Sequence, residues 1–444
     1  MADQLGVFEK VEDAIAAAKE AQKKLVEGYT LEDRDRFLDS IRKHFMKNME
    51  ALTKFELEES GYGRLEDKVL KTTGAVMLSS GTSSLPQRMI ASDKGLTVEY
   101  FAPYGVVGAV TPVTNPIATV AGNGIGCMIS GNAVVVNAHP AAKNCTAAAV
   151  HVINEAIVEA GGPLNLVTMV KEPTMETLDV IVKSPDVPLL VGTGGPGMVK
   201  ALMRSGKKVI AAGAGNPPSI IDETSDVEKA AEGIYSSSSF DNNLLCIAEK
   251  ELFVVDAILD KFVDALVKVG AYRMTNEQAA RVIDYCLIKT PEGEYVPNKK
   301  CVGKCANIIL AAAGINIDTD PRIAIFEADN SHPLVQTEQM MPIIPIVRCK
   351  DFEEAMERAV FAEHDRHHSA SIWSKDISRV TAFGRAINTT IYVQNGGTMA
   401  AFGIGGSGTN APTIATPTGE GVTEPGSFTR RRRFCMADGG NYLL

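Results

Sequence analysis

Helical periodicities and short apolar runs alternate along the first half of the chain. Apolar residues recur at helical spacing over residues 9–26, and Thr30 with Asp33 forms a pattern typical of a helix start. The apolar runs at 106–110 and 133–137 predict buried strands, and each is followed by a stretch of helical composition. Strands that alternate with helices predict a parallel sheet covered by helices.

The alternation restarts in the second half of the chain. A glycine- and proline-rich segment, 213–218, separates two series of strand-like runs. This restart predicts a domain boundary near residue 214. The predicted strands before it include 164–170, 189–191 and 207–212, and those after it include 219–221, 252–255, 343–347, 370–373 and 390–393.

Two further segments differ from this pattern. Residues 94–101 alternate as a strand and 102–105 turn it back, which predicts a projecting hairpin. Glycine, threonine and proline dominate 395–427, and so long a loop in a compact protein is usually functional.

Composition narrows the function classes. The chain has 444 residues, 22% of them charged, and a net charge of -10. Nucleic-acid and anionic-membrane binders need a basic surface, so neither partner is expected. No run approaches the roughly 20 apolar residues of a membrane span.

Cysteine and histidine usage does not predict a metal site. The eight cysteines are scattered in a chain without a signal-peptide pattern, so we expect reduced thiols. The close pair Cys301 and Cys305 lacks a second pair or nearby histidines. The histidines at 364, 367 and 368 are dense, but adjacent loop histidines rarely all face one ion, and no distant acidic partner is identifiable.

The segment around Cys246 has the features of a cysteine nucleophile. A polar turn, Asp241-Asn-Asn243, leads to this single cysteine, and a strand-like run follows. A thiol on a loop beside hydrogen-bond donors can be activated as a thiolate. The alternative is a buried structural cysteine, since free cysteines are often buried.

A glycine-rich loop is the candidate phosphate site. Gly192-Thr-Gly-Gly-Pro-Gly197 lies between a predicted strand and a predicted helix. Glycines there let backbone N–H groups approach a phosphate at a helix N-terminus. The spacing departs from the usual dinucleotide motif, so the loop alone leaves phosphate binding open.

Two loop residues carry suitable polar groups. The Asn115 amide could donate a hydrogen bond to an oxyanion, together with the backbone N–H of Cys246. The alternative is an Asn-Pro turn. Glu338 precedes a predicted buried strand, where its carboxylate could accept from a ribose or could simply be solvated.

Taken in order, these segments resemble the CoA-acylating branch of the aldehyde dehydrogenase superfamily, which includes acetaldehyde and propionaldehyde dehydrogenases of bacterial microcompartments. The resemblance runs from about Gly6 to Leu444. Its most specific marker is Ser-Phe-Asp-Asn-Asn-Leu-Leu-Cys246-Ile-Ala-Glu-Lys. Supporting segments are Pro103-Tyr-Gly-Val-Val-Gly-Ala-Val-Thr-Pro-Val-Thr-Asn115-Pro, Gly213-Ala-Gly-Asn-Pro-Pro218 and Glu338-Gln-Met-Met-Pro.

The resemblance implies an α/β fold of the aldehyde dehydrogenase type. A Rossmann-like dinucleotide-binding domain would comprise 1–92 and 106–214, and an α/β catalytic domain would comprise 215–426. Residues 93–105 and 427–444 would form a small β oligomerisation flap. Strand exchange in such a flap pairs exposed sheet edges, so a homodimer or homotetramer is expected.

The resemblance also implies roles for individual residues. Cys246 would be the nucleophile, and Asn115 would stabilise the oxyanion. NAD would be the cofactor and coenzyme A the co-substrate. The implied cofactor-binding residues are Thr111, Pro112, His139, Gly192, Thr193, Gly194, Gly195, Gly213 and Glu338.

One departure from the family separates two activities. Hydrolytic members carry a glutamate that activates water, and family spacing puts Ala212 at that position. Without this carboxylate a CoA thiol is the better acyl acceptor. The implied reaction is the reversible oxidation of a short-chain aliphatic aldehyde, propanal or acetaldehyde, to acyl-CoA.

Two rival hypotheses remain. One is a hydrolytic aldehyde dehydrogenase with a base elsewhere, and the other is a non-catalytic scaffold of the same fold. The resemblance implies a cytoplasmic enzyme. Packaging in a bacterial microcompartment, with shell or lumen proteins as partners, is a further expectation.

Overall fold

The structure is a computed structural model that describes residues 4–437. Its helices are α1 (Val11–Gly28), α2 (Leu31–Ser60), α3 (Leu65–Met77), α4 (Pro116–Ser130), α5 (Lys143–Glu159), α6 (Met175–Lys183), α7 (Pro196–Met203), α8 (Val227–Ser239), α9 (Asp256–Lys268), α10 (Asn276–Cys286), α11 (Ala306–Ala312), α12 (Pro333–Gln336), α13 (Phe352–Glu363) and α14 (Ile377–Ile387). Its strands are β1 (Val7–Phe8), β2 (Arg88–Ser92), β3 (Gly95–Pro103), β4 (Val106–Val110), β5 (Ala133–Asn137), β6 (Val167–Val170), β7 (Leu189–Thr193), β8 (Lys208–Ala212), β9 (Pro218–Ile221), β10 (Glu251–Val255), β11 (Tyr272–Arg273), β12 (Leu287–Lys289), β13 (Tyr295–Pro297), β14 (Ala324–Ala328), β15 (Ile343–Cys349), β16 (Ser369–Trp373), β17 (Ile391–Gln394), β18 (Ile414–Ala415), β19 (Gly421–Val422) and β20 (Thr429–Ala437).

The chain forms two compact units. The first unit comprises the described residues up to Glu59, Lys71–Ala212 and the described residues from Thr409 on. The second comprises Ser60–Leu70 and Gly213–Gly408. The division into three domains, with its boundaries at 92, 106, 214 and 426, stays a prediction.

A six-stranded sheet organises the first unit. Its order is β1-β6-β5-β4-β7-β8, and all its pairs are parallel. From β4 the chain moves outward through β5 and β6, then returns to the other side of β4 with β7 and β8. The strand order therefore reverses between β4 and β7, a topological switch point. The strands predicted at 106–110, 133–137, 164–170, 189–191 and 207–212 are confirmed.

A seven-stranded parallel sheet organises the second unit. Its order is β11-β14-β15-β10-β9-β16-β17. Successive residues of β10 enter different clusters, because side chains alternate across a sheet. Leu252 and Val254 pack with Phe262 and helices α8 and α9, whereas Phe253 packs with Phe383 and helices α13 and α14. This confirms a parallel sheet with helices on both faces.

The predicted hairpin is wrong in its turn: the chain does not turn back at 102–105, and β3 instead pairs with the preceding β2 across a turn at 93–94. Both strands belong to a third sheet. It has the order β2-β3-β20, with both pairs antiparallel. The predicted strand at 94–101 is confirmed as β3, and the predicted C-terminal strand appears as β20. Residues 438–444 of the predicted flap lie outside the described residues. Met89, Ile90 and Phe434 leave apolar side chains exposed on this sheet.

Several elements differ from the sequence prediction. The sequence predicts a separate third helix from about Glu50 to Ser60, and this is wrong, because α2 runs unbroken to Ser60 without an intervening glycine or proline. Residues 276–312 have a helix-forming composition that is interrupted at Pro291, and the structure has α10, a short hairpin of β12 and β13, and α11 there. Helix α3 and strand β14 were not predicted. None of the helices in the described part of the chain is both long and apolar enough to cross a membrane.

The packing of Phe262 predicts a large stability effect. Its side chain is fully buried in the cluster beneath β10. We expect Phe262→Ala to lower the free energy of unfolding by about 3–5 kcal/mol, through lost contacts and a cavity. The neighbouring Lys261→Ala, which breaks only an exposed pair with Glu228, should cost under about 1 kcal/mol. Urea unfolding of both variants is the measurement, and equal losses would contradict the assigned packing.

Candidate active site

The loop before Cys246 has an unusual backbone. Asp241, Asn242 and Asn243 have φ values of 49°, 56° and 61°, three consecutive left-handed residues. Asp and Asn tolerate this conformation better than most residues, because their short polar side chains bond to nearby backbone. All three are fully buried, so their polar groups need partners inside the protein.

Asn243 and Lys250 close the loop. The Asn243 amide donates to Ser238 O at 2.7 Å and to Glu249 O at 3.0 Å. Lys250 Nζ donates to Asn243 O at 2.8 Å, Asn243 Oδ1 at 2.5 Å and Leu245 O at 2.9 Å. These bonds span the two sides of the loop and hold Cys246 between them.

Residues of the segment 60–70 anchor the start of the loop. Asp241 Oδ1 accepts from the Arg64 backbone N–H at 2.9 Å. Asp241 Oδ2 lies 3.7 Å from Lys68 Nζ, and both side chains are fully buried. Asn242 accepts from Arg64 Nε at 2.9 Å and donates to Gly303 O at 2.9 Å. Buried polar groups that are paired in this way favour one conformation of the loop.

The surroundings of the Cys246 thiol favour its protonated form. Burial and the Glu338 carboxylate raise the pKa of Cys246 to about 12. Lys250 and the backbone N–H groups of Cys246 and Ile247 act on this pKa in the lowering direction. Cys246 as a whole residue is partly exposed.

Glu338, Gly215 and His368 surround the same loop. Glu338 Oε1 accepts from the Gly215 N–H at 3.1 Å, and burial raises the pKa of Glu338. A Cβ at Gly215 would lie 2.4 Å from Cys246 O and 3.0 Å from the His368 ring, so only glycine fits. Burial, with Lys250 and Arg366, lowers the pKa of His368 to about 3, so its imidazole is neutral.

The topology explains why these residues meet. Gly215, Lys250, Glu338 and His368 each precede a strand, respectively β9, β10, β15 and β16. Those four strands are neighbours and parallel, in the order β15-β10-β9-β16. The residues before parallel strands lie at one edge, so the sheet brings the four together at its amino-terminal edge.

In the first unit, the candidate residues follow strands. Thr111 and Pro112 come directly after β4, and the loop Gly192–Gly195 contains the end of β7. Val110 is opposite Gly192 in the parallel pairing of the two strands. Both segments therefore lie at the carboxyl edge at the switch point, where α/β sheets bind ligands.

Two features of this edge, the Thr111 hydroxyl and the Gly195 backbone, bear on cofactor binding. The Thr111 hydroxyl is buried and has no hydrogen-bond partner among the described residues. A Cβ at Gly195 would have no neighbouring atom within 4 Å, so the loop backbone is open to approach there. An orphaned hydroxyl and an open glycine backbone suit a dinucleotide, whose ribose and phosphates would be held by Thr111 and Gly192–Gly195.

Asn115 and His139 have local hydrogen-bond partners. Asn115 Nδ2 donates to Thr119 Oγ1 at 3.1 Å, which uses one of its two N–H donors. His139 follows β5 and accepts from the Ala141 N–H at 3.2 Å. Ala212 is buried at the end of β8, and Gly213 begins the longer segment of the second unit. The catalytic and cofactor-binding roles of all the residues named in the sequence analysis stay predictions.

Sequence reasoning missed the buried charges of this site. Glu249, Lys250 and Glu251 are all fully buried, although charged residues seldom are without partners. Their position directly before an apolar strand was an available signal. Within the described residues no group of three or more histidine, cysteine or acidic side chains could hold a metal ion.

Comparisons with known proteins show which family this chain belongs to. The model of the aldehyde dehydrogenase family matches residues 4–416. An acetaldehyde dehydrogenase (acetylating) from Bilophila wadsworthia is 41% identical over 440 residues, which is 98% of this chain and 90% of the relative.

Solved structures give the same result. A propionaldehyde dehydrogenase from the Clostridium phytofermentans fucose utilisation bacterial microcompartment has a TM-score of 0.95 and 43% identity, covering 99% of this chain and 100% of that chain. A Rhodopseudomonas palustris propionaldehyde dehydrogenase, solved with bound CoA and an acylated cysteine, has a TM-score of 0.94 and 40% identity, covering 97% of this chain and 98% of that chain. The family resemblance and the fold that it implies are confirmed. This chain belongs to the aldehyde dehydrogenase family.

Proposed function

We propose that this protein catalyses the reversible, CoA-acylating oxidation of a short-chain aliphatic aldehyde, propanal or acetaldehyde, with NAD. The observation that carries the proposal is Cys246, a partly exposed residue on a loop fixed by buried hydrogen bonds. The acetylating and CoA-bound relatives support the same reaction class. A non-catalytic scaffold would have no need for this arrangement.

The chemistry begins at the Cys246 sulfur. The thiolate attacks the aldehyde carbon, and the carbonyl oxygen becomes an oxyanion. The backbone N–H of Cys246 and the Asn115 amide would donate hydrogen bonds to that oxygen. When bound, oxidised NAD supplies the acceptor for the hydride that leaves this carbon, and its positive ring favours the thiolate. A thioester on Cys246 remains.

Release of the acyl group distinguishes the two candidate activities. The residue at the position of the hydrolytic base is Ala212, which has no carboxylate to activate water. A CoA thiolate can attack a thioester without such a base, so that the acyl group leaves as acyl-CoA and the Cys246 thiolate is restored. The hydrolytic alternative would need a base elsewhere in the chain.

Assembly is part of the proposal. The sheet of β2, β3 and β20 leaves Met89, Ile90 and Phe434 exposed, and within residues 4–437 its outer strands each have one unpaired edge. Pairing with a second copy would cover both, which supports a homodimer or homotetramer. The similar propionaldehyde dehydrogenase from Clostridium phytofermentans comes from a bacterial microcompartment, and this supports enclosure of this enzyme in such a compartment.

Turnover should depend on CoA. With propanal and NAD⁺, NADH absorbance should rise continuously only when CoA is present. Without CoA, at most about one NADH per chain should form before Cys246 is trapped as the thioester. Cys246→Ser should abolish both phases. Steady NADH production without CoA would contradict the acylating function and favour the hydrolytic one.

The Gly195 backbone should matter for NAD affinity. Gly195 has φ −65° and ψ 165°, which alanine adopts easily, and open space at its Cβ position. We expect Gly195→Ala to raise the KM for NAD⁺ by at least about three-fold, because a methyl group hinders the phosphate. The thermal midpoint should not change.

Gly192→Ala in the same loop is the comparison for stability. A Cβ at Gly192 would lie 2.3 Å from Leu202 Cδ1, so Gly192→Ala should lower the thermal midpoint, whereas Gly195→Ala should not. An unchanged KM for NAD⁺ in Gly195→Ala would show that the dinucleotide binds elsewhere.

The Glu338 carboxylate should slow the reaction of Cys246 with alkylating agents. It raises the pKa of Cys246, so removing its charge lowers that pKa and enlarges the thiolate fraction at any pH below it. Glu338→Gln should speed iodoacetamide modification of Cys246 at pH 7.5 by about two-fold or more. Glu338→Asp, which keeps the charge, should change the rate less. Peptide mass spectrometry without NAD or CoA measures the rate, and a slower reaction in Glu338→Gln would contradict the assignment.

A further inference from the structure

Lys250 is an unusual lysine because all of its side-chain donors are used inside the protein. Its side chain is fully buried. Its three contacts, two to Asn243 and one to the Leu245 carbonyl, match the three N–H donors of an ammonium group. A buried charge with this complete set of acceptors is expensive to maintain and points to a role beyond packing.

The backbone of Lys250 is fixed as well. Its N–H donates to Pro217 O at 2.9 Å, and its carbonyl accepts from Gln339 Nε2 at 2.8 Å. The side chain therefore extends from a constrained position at the start of β10. Its ammonium group reaches the Cys246 loop from the amino-terminal edge of the sheet.

The contact with Leu245 acts on the peptide group that contains the Cys246 N–H. This group is planar, with its carbonyl and its N–H on opposite sides. A cation at the carbonyl oxygen therefore fixes the direction of the N–H. It also polarises the peptide, because hydrogen bonds in series strengthen one another in a low-dielectric interior.

We propose that Lys250 is a positioning residue that orients and polarises the Leu245–Cys246 peptide, so that its N–H stabilises the oxyanion formed on the substrate. This inference rests on the proposed function and adds a residue to it. The contacts of the Lys250 ammonium group are to Asn243 and to the Leu245 carbonyl, so it acts through the peptide. Burial lowers the pKa of Lys250 to about 8, and Glu338, Glu251 and Glu249 act on this pKa in the raising direction.

Two reagents separate this role from simple support of the loop. Iodoacetamide alkylates the thiolate without forming an oxyanion. With p-nitrophenyl acetate, the Cys246 sulfur bonds to the acyl carbon through an oxyanionic intermediate, and p-nitrophenolate leaves. Both rates are proportional to the thiolate fraction. The ratio of acylation to alkylation is therefore independent of that fraction, and it reports the oxyanion donor alone.

Lys250→Met should lower this ratio by about ten-fold, because the Cys246 N–H remains but is less polarised and less fixed. Lys250→Arg should lie between this variant and the native protein, since a planar guanidinium cannot place three donors on the same three acceptors. The rates at Cys246 are followed by peptide mass spectrometry and by p-nitrophenolate release, without NAD or CoA. An unchanged ratio in both variants would overturn the proposal.

Arg379→Met is the matched control. Arg379 Nη1 lies 3.2 Å from the buried Asp222 Oδ2, so its loss also leaves a buried charge without this partner, but at the carboxyl edge of β9. Arg379→Met should lower the thermal midpoint and leave the ratio of acylation to alkylation unchanged. If this ratio falls as far in Arg379→Met as in Lys250→Met, the proposal is overturned, because any loss of stability would then lower it. Should Lys250→Met not fold, Lys250→Arg decides the question.

The same experiment separates this inference from the proposed function. If Cys246 in the native protein reacts with neither reagent, the proposed function fails and the inference with it. If the native protein reacts normally and Lys250→Arg and Lys250→Met keep the native ratio, only the inference about Lys250 fails.

Discussion

A buried ammonium group bonded to two backbone carbonyls fixes the turn on which the proposed chemistry depends. Lys250 holds Asn243 and Leu245 together, and the left-handed backbone before Cys246 persists because its polar groups have partners. The left-handed conformation of each of these residues would be unfavourable without such partners. The loop is stable because buried bonds from α8, β10 and the segment 60–70 converge on it. Geometry of this kind is what a fixed oxyanion site requires.

The two large sheets present their candidate residues at opposite types of edge. In the first unit the residues follow parallel strands, at the carboxyl edge beside the switch point between β4 and β7. In the second unit they precede four neighbouring strands, at the amino-terminal edge. A parallel sheet gathers loop residues at either edge, although they are far apart in sequence. The spacing of Gly215, Cys246, Glu338 and His368 therefore reflects the lengths of the intervening helices and strands.

Much of the fold could be predicted from the sequence, because the buried strands are continuous apolar runs. Cys246 and the glycine loop could be named from their motifs. The partners of Lys250 could not, since two of them are backbone carbonyls, which any residue supplies. Nor could the packing of residues 60–70 with the rest of the second unit, because it depends on contacts with Asp241 and Asn242 about 180 positions away. Helix α2 was divided wrongly because its apolar face continues past the point where a new start was inferred.

The second unit is not a continuous piece of the chain. A fragment spanning only 213–408 would contain Cys246, Lys250, Glu338 and His368, yet it would lack Arg64 and Lys68, which bond to the start of the loop. Excision at the unit boundaries would thus separate the thiol from part of its support. Transfer of the Cys246 loop to another scaffold would require the short segment 60–70 to be supplied as a second polypeptide chain, in the manner of a split protein.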